Sequence, residues 1–225
     1  MARIVIVGTG GMGRETAAWV AAARPGDELV GFLDDGPATH GTEVAGLPVL
    51  GGVATLLDGH LDAVATASDG GAVGGDVEVA LAIGSPAGRA RLAARLAEAR
   101  IALASVVHPA ASIGPRVVMG PGAIIGPGVV LTCDIRLGAA VIVNYGAMIG
   151  HDGDVGDHVF VAPGAHVAGN VTIGAQADIG IGASVIQGVH VGERSIVGAG
   201  AVVIRDVEPD TTVVGVPAGR IERRS

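Results

Sequence analysis

Residues 137–161 read LGAAVIVNYGAMIGHDGDVGDHVFV. A large aliphatic returns at every sixth position: Leu137, Val143, Ile149, Val155 and Val161. The same register runs back through Leu131, Ile125, Met119 and Ile113 to Val107, and forward through Val167, Ile173, Ile179, Val185, Val191 and Val197 to Val203. The residue after each aliphatic is most often glycine, as at Gly114, Gly126, Gly150 and Gly198. The fourth residue after it is mostly Ala, Val or Ile, as at Ala123, Val129, Ile135 and Val141. A period of six conflicts with the 3.6 of a helix and suits short strands separated by turns. One large and one small inward side chain per six residues fill a narrow tube. Three such segments close a triangular coil of 18 residues, and stacked coils bury a continuous aliphatic column. Pro115, Pro121, Pro127 and Pro163 fall at turn positions, where a missing N–H costs little.

Composition agrees with a thin, repetitive core. Aromatic residues are 2% of the 225, with Trp19 the one tryptophan and Tyr145 the one tyrosine, while glycine reaches 39. The net charge of −8 argues against nucleic acid as a partner, because phosphate binding needs a basic face. A single cysteine, Cys133, excludes an internal disulfide and suits a reducing compartment. The apolar run Ile4–Val7 is too short for a signal peptide, and no stretch of about 20 apolar residues suggests a membrane span. A cytoplasmic protein with no membrane partner is expected.

Residues 1–100 have a different texture. Arg3–Val7 reads as a buried strand, followed by Gly8-Thr9-Gly10-Gly11-Met12-Gly13, a formal G-x-G-x-x-G, and a helix over about Arg14–Ala23. Glu28–Leu33 reads as a second strand ending in Asp34-Asp35. This is the Rossmann layout, in which glycines let the backbone approach phosphates and an acid reaches a ribose hydroxyl. The domain has room for three or four strands, with Ala63–Ala67 and Val79–Ile83 as the further candidates, so a full dinucleotide fold is not expected. A helix over Gly88–Arg100 and a strand over Ile101–Val107 lead into the repeats.

The repeat over roughly residues 107–220 resembles the hexapeptide-repeat acyltransferases, which fold as left-handed parallel β-helices. With the glycine-turn domain in front, the chain is similar to the group containing sialic acid O-acetyltransferases and the bacillosamine- and perosamine-type sugar N-acetyltransferases. The expected architecture is mixed: a small Rossmann-like α/β domain over 1–100, then a left-handed β-helix acyltransferase domain over 101–225. The resemblance implies a homotrimer, acetyl-CoA as acyl donor and a nucleotide-sugar or sugar as acceptor. It puts Gly10, Gly11 and Met12 near the pyrophosphate or sugar, Asp34 and Asp35 at the base, and Gly84 on a neighbouring loop. Met12 departs from the histidine often found there.

The inward positions are aliphatic, so His108, His151, His158, His166 and His190 all belong outside the tube or at its corners. The γ-class carbonic anhydrases bind metal on a similar helix, but no pair of these histidines differs by 18 or 36 residues, so no metal is expected. His151, in Ile149-Gly150-His151-Asp152, resembles the family's catalytic segment. Acyl transfer to an amine or hydroxyl requires removal of one proton, and imidazole ionises near neutrality. By the resemblance, Asp152 fixes its tautomer and Asn144 orients the acceptor or the acyl group. Gly169, one coil above, offers a backbone N–H to the oxyanion. Cys133, one coil below, reads as packing. Phe160 stands where many relatives carry a second histidine near the acyl-CoA. Ile181, Ala199, Pro217 and Arg220, the last two in the closing Gly215–Arg220 segment, are expected along the CoA path.

The expected function is acetyl-CoA-dependent N-acetylation of a nucleotide-linked amino sugar by direct attack on the thioester. O-acetylation of a sugar such as sialic acid is the near alternative. An NAD-binding protein, or a trimeric scaffold without catalysis, is the alternative of another class.

Overall fold

The computed structural model describes residues 1–58 and 77–221. The candidate strand Ala63–Ala67 lies outside them. The N-terminal part alternates β1 (Arg3–Val7), α1 (Gly11–Ala23) and β2 (Glu28–Leu33). A small hairpin of β3 (Glu43–Val44) and β4 (Leu47–Pro48), the short α2 (Val53–Leu57), β5 (Val77–Leu81), α3 (Pro86–Glu98) and β6 (Ala102–Leu103) follow. β1, β2, β5 and β6 form one parallel sheet in the order β2-β1-β5-β6. The apolar runs of β1 and β5 explain their central place, since all five residues of β1 are buried. Ser85 caps α3 by accepting from Gly88 N–H at 3.2 Å, and Pro86 fits the first turn.

The expected strand over Ile101–Val107 is two strands. Ala102–Leu103 completes the N-terminal sheet, whereas Val106–Val107 opens the solenoid. The N-terminal sheet therefore extends past residue 100. From Val106 to Val203 strands 18 residues apart pair in parallel, and with the closing strands the sheets have eight, six and five members. The first face carries Ile124–Ile125, Ile142–Val143, Phe160–Val161 and Asp178–Ile179. The second carries Met148–Ile149 and His166–Val167, and the third Arg136–Leu137 and Asp154–Val155. The last coil is shorter, because Ile196 pairs with Thr212. There Gly219–Arg220 folds back antiparallel on Val213–Val214, and Ala218 packs against the end of the aliphatic column.

The two parts dock through the outward residues of the first face. Val106, Ile124 and Ile142 are fully buried against Ala17, Trp19 and Val20 of α1. Gly126 is required here, since a Cβ would come within 3.0 Å of the Trp19 ring and 2.8 Å of Tyr145 N.

Arg89 of α3 is the second tie. It is fully buried and lies on the same helix stripe as Leu92 and Leu96. Its Nε donates to Ala140 O at 2.8 Å, one terminal nitrogen to Ile83 O and Gly84 O at 2.6 and 3.3 Å, and the other to His158 O and Val159 O at 2.6 and 3.0 Å. Burial lowers its pKa to about 10, with Asp178 opposing. Arg89→Met would leave these carbonyls without their donor while removing a buried charge. The expected net loss is about 3 kcal/mol, or roughly 10 °C in melting temperature. Thermal unfolding of the full chain checks this, and an unchanged midpoint would show that the guanidinium does not hold the two parts together.

Candidate functional site

The Rossmann-like turn divides its glycines by task. Gly8 has φ +106°, and a Cβ there would meet Ala82 O at 2.9 Å. Gly13 lies against Gly8 O, so only a bare Cα lets α1 pack on the turn. Gly10 and Gly11 face open space. The helix begins at Gly11 rather than Arg14, so its first N–H groups lie within the turn, where they suit an anion.

Beside the turn lies a cavity of about 360 Å³ lined by Val7, Gly8, Asp34, Asp35, Val53, Ala82, Ile83 and Leu92. Asp34 is largely committed within the protein. It accepts from Thr9 N and Oγ1 at 2.9 and 2.6 Å and from Gly36 N at 2.9 Å. Burial opposes its ionisation, but these hydrogen bonds hold it below the usual carboxylate range. Asp35 accepts from Val53 N at 2.8 Å through one carboxylate oxygen, and the exposed residue borders the cavity. Thr9 was not singled out from the sequence, since its role depends on a strand end 25 residues away.

On the solenoid, His151 and Asp152 form the turn after Met148–Ile149. His151 Nδ1 lies 2.8 Å from Asp152 Oδ2. A carboxylate oxygen accepts, so Nδ1 carries the hydrogen of this pair, and in the neutral ring Nε2 holds the lone pair. The ring lies over Gly169, where a Cβ would collide with Nε2 and Cε1. Among the described residues, the Gly169 N–H takes no part in the coil-to-coil ladder. Beneath, Arg116 grips Asp134 with two hydrogen bonds at 2.5 and 2.7 Å. The Cys133 thiol is pushed up by its hydrogen bond to Asp134, which keeps it a poor nucleophile.

Asn144 is elsewhere. It follows Ile142–Val143, so it stands at the corner between the first and second faces, whereas His151 stands between the second and third. Asn144 is 5% exposed, accepts from Tyr145 N at 2.7 Å and points its amide at Met12 Sδ, 3.7 Å away. Ile181, 61% exposed, and the exposed Ala199 stand at the same corner, stacked above Tyr145. Within one chain the structure thus joins Asn144 to Met12, and His151 to Asp152 and Gly169, and leaves a whole solenoid face between the two groups.

Phe160 faces outward on the first face and packs against the Trp19 cluster that also takes Met12. His158 is half-buried, its Nδ1 has no partner among the described residues, and burial beside Arg89 lowers its pKa. Gly84 faces open space, with its carbonyl held by Arg89. Arg220 lines a cavity of about 170 Å³ at the C-terminal end with Arg205, Asp206 and Glu208, and Pro217 precedes it in the closing turn. No group of three or more His, Cys, Asp or Glu able to hold a metal ion occurs among the described residues. No helix among them is long and apolar enough to cross a membrane.

Residues 3–96 match the PglD N-terminal domain family. No curated protein sequence matches the chain. Among solved structures it is similar to a mutant perosamine N-acetyltransferase from Caulobacter crescentus in complex with CoA and GDP-perosamine. That match has 30% identity and a TM-score of 0.85, and covers 99% of this chain and 98% of that one. The acetyltransferase domain of PglB from Neisseria gonorrhoeae, in complex with acetyl coenzyme A, matches at 29% identity and TM-score 0.83, covering 97% and 98%. WeeI from Acinetobacter baumannii matches at 28% and 0.84, covering 98% and 100%. These matches bear out the reading of a Rossmann-like domain followed by a left-handed β-helix.

Gly169→Ala is expected to turn the His151 ring off its seat while the solenoid persists. The His151 imidazole resonances should shift with little change in melting temperature. Unmoved resonances would mean that the ring does not rest on Gly169.

Proposed function

The chain belongs to the hexapeptide-repeat sugar acetyltransferases, and from that membership we propose that it N-acetylates a nucleotide-linked amino sugar with acetyl-CoA as donor. The observation that carries this reading is the His151–Asp152 pair, with Nε2 free and lying over the Gly169 backbone. His151 Nε2 takes the proton of the attacking amine as the C–N bond forms at the thioester carbonyl. Asp152 balances the imidazolium. The Gly169 N–H meets the charge that develops on the carbonyl oxygen. Collapse breaks the C–S bond, and the departing CoA sulfur receives the proton that His151 carried. Gly10, Gly11 and the first turn of α1 receive the pyrophosphate, and the cavity beside Asp34 and Asp35 receives the nucleoside.

The split between corners gives the oligomer a purpose. Met12 and the rest of the glycine turn sit at the Asn144 corner, a full face away from His151. At ~3.3 Å per extended residue that face is on the order of 15 Å wide. The reacting groups meet when His151 of one chain faces the Asn144 corner of another, which a closed trimer of like interfaces supplies at every site.

His151→Ala should lower acetyl transfer about 10²–10⁴-fold, read as thiol release from acetyl-CoA with GDP-perosamine among the nucleotide-linked amino sugars offered. Turnover at the wild-type rate would remove His151 as the base. Co-expressed His151→Ala and Asn144→Ala chains, each deficient alone, should regain about a quarter of the activity, because random assembly of like interfaces joins the two intact halves at about one interface in four. No recovery would place both residues in one chain's site.

A further inference from the structure

Among the described residues, Asp178 is the one acidic side chain on the first face beside the docked domain that the proposed chemistry leaves unused. Its strand neighbour Ile179 is fully buried in the column, so Asp178 faces outward. It pairs in register with Phe160, one coil or ~4.8 Å below. Phe160 packs against the cluster that also takes Met12. The guanidinium of Arg89 bonds the carbonyls of Ile83 and Gly84 and also those of His158 and Val159. The loop after β5 therefore abuts the solenoid just before Phe160. Asp178 stands over the line where the Met12 turn, the Gly84 loop and the solenoid meet.

Its carboxyl is half-buried and takes part in no hydrogen bond or ion pair among the described residues. Arg89 is the cation nearest in effect, yet all five of its N–H groups are spent on backbone carbonyls. Burial pushes Asp178 above the usual carboxylate range, with Arg89 opposing. A partly desolvated carboxylate without a donor is costly unless a ligand supplies one.

We propose that Asp178 is a specificity-determining residue for the acceptor, its carboxylate receiving the ammonium of an amino sugar held between the Gly10–Met12 turn and Gly84. The inference rests on the proposed function and deepens it. An alkylammonium gives a carboxylate a charge-assisted hydrogen bond, about twice as strong as the neutral bond a hydroxyl gives. Asp178 thereby selects amino over hydroxy sugars; the bound ammonium sheds one proton to solvent before attack, and His151 removes the second as the C–N bond forms.

The test is calorimetric binding of GDP-perosamine, and of its analogue with a hydroxyl in place of the amine, to the full-length wild type, Asp178→Asn and Asp178→Glu. The wild type should prefer the amine by at least about tenfold, Asp178→Asn should bind the two alike, and Asp178→Glu should restore part of the preference. In turnover, Asp178→Asn should raise KM for the amino sugar by about tenfold, with kcat and the KM for acetyl-CoA little changed. A carboxylate that merely offsets the Arg89 charge would alter melting temperature and leave the preference intact, which would overturn the proposal. Equal wild-type binding of both sugars would overturn it too, while leaving the acetyltransferase reading in place. A wild type that binds neither sugar would overturn the nucleotide-sugar reading and this inference with it.

Discussion

Coil-to-coil pairing is the constraint on which the molecule depends. Each strand of the solenoid is two or three residues long and is held only by the strands above and below it. Such strands persist because an unbroken aliphatic column stands behind them, on the first face from Ile125 through Val143, Val161 and Ile179 to Val197. The column consumes the inward positions, and the ladder consumes most backbone donors. Chemistry is left with outward strand positions and corners. Corners also tolerate left-handed backbone, which Asp134, Asp152 and Asn170 adopt one above another at φ 55°, 56° and 56°. Asp152 can therefore stand next to His151 without disturbing the coil.

The same constraint explains how a second domain is attached. The first face is apolar outside as well as inside over its early coils, and α1 covers it with Trp19. Apolar contact alone is non-directional and would tolerate sliding. Arg89 adds direction, since a planar guanidinium meets the five carbonyls it bonds in one arrangement only. A lysine has three donors and could not satisfy them. The loop that carries Gly84 is thereby fixed relative to His158 and Phe160, and stands as a wall beside the first face of the solenoid.

Much of this was legible in the sequence, for stated physical reasons. The six-residue register specifies the coil and the column, because inward positions admit only aliphatics. The 18-residue spacing placed Cys133, His151 and Gly169 in one stack, and the contact of the His151 ring with Gly169 follows from it. What stayed hidden depends on contacts between parts far apart in the chain. Arg89 had a signal, an arginine on the stripe of Leu92 and Leu96, but its acceptors on the solenoid lie 51 to 70 residues away. The apolar run across Ala102–Leu103 and Val106–Val107 reads as one strand, because it does not reveal which sheet each half joins. Asn144 and His151 are close in sequence, which suggests neighbours. In a triangular coil their spacing means different corners.

That last point bears on how selectivity is built. A site made within one corner would have to draw grip, reactivity and discrimination from residues 18 apart in one stack. In the proposed arrangement the glycine turn and the cavity by Asp35 grip the nucleotide without constraining the reacting end. The His151 corner, in the same proposal, carries only the base, its carboxylate partner and a backbone amide. On that proposal the sugar is judged by the residues gathered around the first face, which among the described residues are Met12 of α1, Asn144 at the adjoining corner, and Phe160 and Asp178 on the face itself. Two of these are apolar, Asn144 is neutral, and Asp178 carries the one charge. A wall of that kind distinguishes acceptors by charge more sharply than by hydroxyl pattern, since hydroxyl recognition needs several fixed donors and acceptors. On the proposed reading, the choice between nitrogen and oxygen acceptors falls to the solenoid face, and the choice of nucleotide to the domain docked upon it.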